Sequence, residues 1–138
     1  MNNQVLSIEQ MQELIELGID TSNASAFYYP NYGDYYKHPI TKKYVHDIKG
    51  YNPYPSFVNG NRTLKDLNPD LFPTFTLQDI LKILPRTINY DGSKRLRVLP
   101  PNELEYTNYS LEGHFKHENS LLEAAFSMLK WVKQNGYI

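Results

Sequence analysis

Eight of the twelve tyrosines fall within residues 28–54, interleaved with Pro30, Pro39, Pro53 and Pro55, and this stretch limits the fold more than any other. Proline removes a backbone donor and clashes with the preceding turn, so long helices are not expected between Ala26 and Pro73. Phe27-Tyr28-Tyr29 and Lys43-Tyr44-Val45 carry strand-forming side chains, but the neighbouring prolines confine any pairing to short or edge strands. The segment 26–73 is therefore expected to be dominated by loops that aromatic rings hold down.

The flanks of this segment carry clear helix signals. Ser7 with Gln10 three residues on forms a capping pattern, Leu6 and Met11 fit a hydrophobic staple, and Gly18 is placed to stop the helix, which predicts helix over 8–17. Its apolar stripe is Ile8, Met11, Leu14 and Ile15. Thr76 with Asp79, and Phe75 with Ile80, repeat the same logic and predict a helix over 77–84 that Pro85 ends, with Leu77, Ile80, Leu81 and Leu84 buried. Ser120 and Glu123 open a third helix over 120–134, with Leu121, Leu122, Ala125, Leu129 and Val132 on one side and Asn135-Gly136 at its end. Lys130 and Lys133 lie in its last turns, where cations oppose the helix dipole.

Between the second and third helices the period changes from helical to alternating. Thr87-Ile88-Asn89-Tyr90, then Asp91-Gly92, then Lys94-Arg95-Leu96-Arg97-Val98-Leu99 predicts a hairpin, because Asp-Gly suits the positive backbone angles of a tight turn. Leu96 and Val98 face one side and Arg95 and Arg97 the other. Alternation resumes at 104–109 and at Gly113-His114-Phe115-Lys116, giving three or four strands of an antiparallel meander. The expected fold is one α+β domain over residues 1–138: a small antiparallel sheet of three to five strands with about three helices packed on one face.

Composition removes several classes of function. The absence of cysteine excludes disulfides, thiolate-ligated metal and thiol catalysis. A net charge of −1 argues against a binder of extended nucleic acid. No run is apolar enough to predict a membrane span, and the opening Met1-Asn2-Asn3-Gln4-Val5-Leu6 lacks the pattern of a secretory signal, so a cytosolic location is expected. The charge is nevertheless segregated: residues 1–25 carry Glu9, Glu13, Glu16 and Asp20 and no Lys or Arg, whereas residues 35–65 carry Lys37, Lys42, Lys43, Lys49, Arg62 and Lys65 against Asp47.

Three passages carry a resemblance: 6–11 running into Leu17-Gly18-Ile19-Asp20-Thr21-Ser22, then 73–81, then Asn119 to the closing Asn135-Gly136-Tyr137-Ile138. They resemble small uncharacterised proteins of gut Bacteroidetes bacteria and their phages. The likeness covers the helices and departs through the tyrosine-rich middle and the basic hairpin. It implies a phage accessory context, in which small proteins act by gripping a host protein or sequestering a nucleotide-derived signal, and it assigns a role to no residue.

The most unusual candidate site is the group Tyr28, Tyr29, Tyr32, Tyr35, Tyr36, Tyr44, Tyr51 and Tyr54 with Lys37, Lys42, Lys43 and Arg62. Rings stack on bases and basic groups hold phosphates, so this mixture suits a nucleotide-like ligand. Tyrosine also suits protein-binding surfaces, and the plainest role is to pin a long loop to the core. Arg95 and Arg97, with Lys94 and Arg86, extend the anion site if they share its surface. His114-x-x-His117-Glu118 has metal-ligand residue types, but alternation would turn the two histidines to opposite faces, so they are read as solvated or capping residues and no metal or other cofactor is expected. His38 and His46-Asp47 are the candidates for a metal-independent phosphodiesterase or nuclease, the enzyme alternative. Trp131, beside the stripe of the last helix, is expected to pack.

The sequence thus points to a non-enzymatic binding protein that sequesters an anionic, nucleotide-like small molecule, with a homo-oligomer as one way to build the pocket. The alternative is an interaction module that grips a host protein through its tyrosine-rich surface.

Overall fold

The computed structural model describes residues 4–29, 36–37, 44–45, 51–52, 54–58, 71–108 and 113–138, with only the backbone described at 36–37 and 44–45. Three helices are present among them: α1 (Ile8–Glu16), α2 (Leu77–Ile83) and α3 (Leu121–Gln134). Each begins where its cap predicts. Ser7 and Gln10 exchange side-chain and backbone bonds at 2.9 and 3.1 Å, and Thr76 and Asp79 do the same at 2.9 and 3.2 Å. Ser120 Oγ accepts from Glu123 N at 3.1 Å. Each such cap satisfies amide donors that the first turn leaves open, worth about 1 kcal/mol.

The ends of α1 and α3 are built alike. Ile19 N donates to Leu14 O and Gly18 N to Ile15 O, both at 3.0 Å; Tyr137 N donates to Val132 O at 2.9 Å and Gly136 N to Lys133 O at 3.2 Å. This is the Schellman pattern, with Gly18 and Gly136 in the left-handed region at φ 88° and 77°. It folds Ile19 back over Leu14, and both are buried.

A four-stranded antiparallel meander follows α2: β6 (Thr87–Asn89), β7 (Ser93–Leu99), β8 (Glu103–Thr107) and β9 (Gly113–His117), in spatial order 6-7-8-9. Asp91 at φ 52° and Gly92 at φ 97° make the first turn, as the Asp-Gly pair predicts. A second sheet, order 4-1-5, comes from the proline-rich region: β1 (Ala26–Tyr28) between β4 (Ser56–Phe57) and β5 (Phe72–Thr74). β2 (Tyr36–Lys37) pairs with β3 (Tyr44–Val45). The strands here are short, as expected, but β1 is central. It contains no proline and so can pair on both sides, while Pro73 lies in β5 at the edge, opposite Phe27.

α3 packs on β8, β9 and α2, and the main core joins Leu6, Met11 and Leu14 of the first segment to Phe75, Ile80, Leu104, Tyr106, Met128, Leu129 and Val132. A smaller core of Val5, Ile8, Ala26 and Tyr28 lies under the three-stranded sheet, with Tyr51 and Phe72 against it. Burial of one Leu or Phe side chain contributes roughly 1.5–3 kcal/mol, so these clusters dominate the folding free energy. Two expectations fail. Ile15 is 42% exposed, because the buried arc of α1 is narrow enough to be filled by Ile8, Met11 and Leu14. Lys94 is buried, because it shares parity with Leu96 and faces the core; its stem lies inside and its Nζ donates to Asp91 O at 2.7 Å, closing the turn. Among the described residues no helix is long and apolar enough to cross a membrane.

Candidate functional site

The described tyrosines divide into two groups. Tyr28 is buried and its hydroxyl donates to Leu6 O at 2.9 Å, an acceptor shared with Thr74 Oγ1 at 2.7 Å. Burial, with the nearby Glu9 carboxylate, pushes its phenol above the usual range. Tyr51 packs its ring 5.2 Å from that of Phe72. These two tie the segment to the core, the structural role weighed against ligand binding, and Tyr28 has too little open ring for stacking. Tyr29 and Tyr54, by contrast, are 37% and 64% exposed, and Phe57 is 45% exposed. Tyr32, Tyr35, Lys42, Lys43 and Arg62, with His38, His46 and Asp47, lie outside the described residues, as do the side chains of Tyr36, Lys37 and Tyr44.

Arg95 and Arg97 project from the sheet face opposite α3, on the wet side as predicted. Arg97 is opposite Glu105 and pairs with it at 3.3 Å. An exposed pair of this kind contributes little to stability and occupies the guanidinium that an anion would need. Lys94, on the other face, cannot join them.

The two histidines do face opposite ways. His117 lies opposite Glu103 on the outer face, 3.6 Å from its carboxylate. His114 lies opposite Tyr106 on the helix side and is half-buried, not a cap: it stacks on Trp131, in a cluster with Tyr90, Tyr106 and Tyr137. The strand register puts it there. Burial, then Lys116, lowers its pKa from 6.5, and its Nε2 has no hydrogen-bond partner. Tyr106 donates to Pro85 O at 2.7 Å, and burial pushes its phenol well up. Among the described residues no group of three carboxylate or imidazole side chains is placed to hold a metal ion.

A cleft of about 650 Å³ opens where the ends of α1 and α3 meet α2. Gly18, Ile19, Asp20 and Asn23 form one wall, Phe75, Asp79, Lys82 and Ile83 the second, and Lys133 and Ile138 the third. The Schellman turns place Ile19 and the tail to Ile138 at its rim, and the end of the Lys133 side chain lies in van der Waals range of Gly18. Asp79 is committed elsewhere. Its carboxylate accepts from Thr76 N and Ser25 N, both at 2.9 Å, and from Ser25 Oγ. Lys82 and Lys133, contributed to the lining by α2 and α3, form no ion pair with any described residue. The lining thus carries two cations, the carboxylates of Asp20 and the hydrogen-bonded Asp79, an amide and aliphatic surface, and the two lysine ammonium groups are the elements that can hold a small anion.

Sequence reasoning missed this cleft. Lys133 was legible only as a last-turn cation and Lys82 was not singled out, and nothing local signals that α2 and α3 bring both to one cleft. No family model matches the chain, and comparison with curated proteins and with solved structures finds no match.

Proposed function

We propose that the protein is a non-enzymatic binding protein that captures a small anionic molecule in the cleft between α1, α2 and α3. The observation that carries this reading is the pair Lys82 and Lys133, without ion-pair partners among the described residues and both lining a cavity of about 650 Å³. Ligand cavities fall in a range of about 300–1,000 Å³. What favours binding over chemistry is the state of Asp79, whose carboxylate already accepts three hydrogen bonds and is not poised as a base.

Both lysines also stand in the last turns of their helices, where a cation stabilises the helix dipole by about 0.3–1 kcal/mol. The test must therefore read ligand-induced change and not stability alone. Thermal unfolding against a panel of nucleotides, phosphate monoesters and carboxylates, with mass analysis of the recovered ligand, does so. A ligand at 100 times its Kd adds about 2.7 kcal/mol. A shift with intact ligand that Lys82→Gln and Lys133→Gln both abolish supports capture; a chemically altered ligand makes the protein an enzyme.

One observation favours a second reading, an interaction module for another protein: the rings of Tyr29, Tyr54 and Phe57 stand open on the β1/β4 side. Binding through these rings would resist salt, whereas anion capture weakens with it.

A further inference from the structure

Among the described residues, the proposed ligand cleft is lined by charged groups and aliphatic surface, with no open ring on which a base can stack. Of its lining residues Phe75 alone is aromatic, and it is 1% exposed, closed beneath the floor in the main core. The open apolar surface is aliphatic: Ile138 is 38% exposed at the rim, Ile83 is partly buried and Ile19 contributes an edge. The exposed aromatic rings among the described residues, Tyr29, Tyr54, Phe57 and Phe115, are not among the lining residues.

Base stacking on aromatic rings is worth about 1–3 kcal/mol per base, roughly five- to hundredfold in affinity, and a nucleotide in this cleft would forgo it. A hydrocarbon body loses nothing by the substitution, since burial against isoleucine is driven by area alone. We infer that the cleft selects an aliphatic anion, a phosphate monoester or carboxylate whose charged group lies between Lys82 and Lys133 and whose hydrocarbon body lies along Ile19, Ile83 and Ile138. This inference rests on the reading of the cleft as a ligand site and narrows it against the nucleotide-like ligand that the tyrosine composition suggests. Asn23 and Asp20 at the first wall add polar contacts for a hydroxyl on such a ligand.

Calorimetric titration of the full chain with butyl, hexyl and octyl phosphate, octanoate, octanol, AMP and inorganic phosphate tests it. Each methylene that is fully buried is worth about fourfold in affinity, so octyl phosphate is expected to bind at least about tenfold tighter than butyl phosphate and tighter than AMP. Octanoate should follow octyl phosphate more closely than octanol does. The double variant Lys82→Gln/Lys133→Gln should weaken both octyl anions by about tenfold or more and leave octanol unchanged, and Ile138→Ala should weaken octyl phosphate more than butyl phosphate. A flat chain-length series, or AMP binding as tightly as octyl phosphate, overturns the aliphatic assignment while leaving a ligand-binding cleft in place. Octanol binding as tightly as octyl phosphate overturns the requirement for an anion. No heat from any compound overturns the cleft as a ligand site, and this inference with it.

Discussion

The imidazole of His114 lies flat on the indole of Trp131, with ring centroids 3.9 Å apart and planes within 9° of parallel. Tyr90 meets the indole edge-on at 5.2 Å and Tyr137 covers it at 5.4 Å, so the histidine sits half-buried against an aromatic cluster that reduces the solvation of its charge. Lys116 on the same strand adds repulsion. Both effects favour the neutral ring and lower its pKa in the folded chain.

Because the unfolded chain then binds the proton more tightly, the stacked histidine contributes fully above its ordinary pKa of about 6.5, and that contribution is lost as pH falls through the lower folded value. The melting temperature should be level near pH 7.5 and fall towards pH 5, roughly, with His114→Phe removing part of the slope. Trp131 is the single tryptophan, so its fluorescence reports the same transition. A His114→Phe profile as steep as that of the native chain would place the pH sensitivity elsewhere.

Asp79 accepts two hydrogen bonds from Ser25, which tie α2 to the segment before β1, and a third from Thr76 N at the cap of its own helix. Its removal leaves Ser25 N and Thr76 N without their acceptor, so Asp79→Ala should cost about 2–4 kcal/mol in urea unfolding, and Asp79→Asn less.

Gly113 has no room for a side chain: a Cβ there would lie 1.7 Å from the carbonyl oxygen of Tyr106, in the neighbouring strand. Gly113→Ala must push β9 from β8 and is expected to destabilise by about 2 kcal/mol or more. Loss of amide protection in 113–117 ahead of 93–99, read by hydrogen exchange, would locate the damage.

The two tyrosine groups should separate cleanly. Tyr28→Phe strands Leu6 O with Thr74 Oγ1 as its remaining side-chain donor and should cost about 1 kcal/mol, whereas Tyr54→Ala should stay within about 0.5 kcal/mol of the native chain. Chemical denaturation of both variants checks this.

What was legible in the sequence was what is decided within a few residues. Ser7 and Gln10, or Thr76 and Asp79, cap their helices from three positions away, and the alternation of Leu96 with Arg97 sets the two faces of the hairpin. The parity of Lys94 with Leu96 was equally available, and would have placed its amine inside; the expectation that lysine faces water overrode it. The central position of β1 was not available, since it depends on pairing with both 56–57 and 72–74 across long connections. Nor was the stack of His114 on Trp131, or the sharing of one cleft by Lys82 and Lys133, because each joins elements that only the packing of α3 brings together.

The central claim concerns place: an anion binds between α1, α2 and α3 and not on the exposed tyrosines. Amide chemical-shift mapping of the native chain titrated with octyl phosphate tests it most directly. The account predicts changes concentrated at 18–23, at Lys82 and Ile83, and at 133–138. Changes centred on Tyr29, Tyr54 and Phe57, with the cleft unmoved, would contradict it.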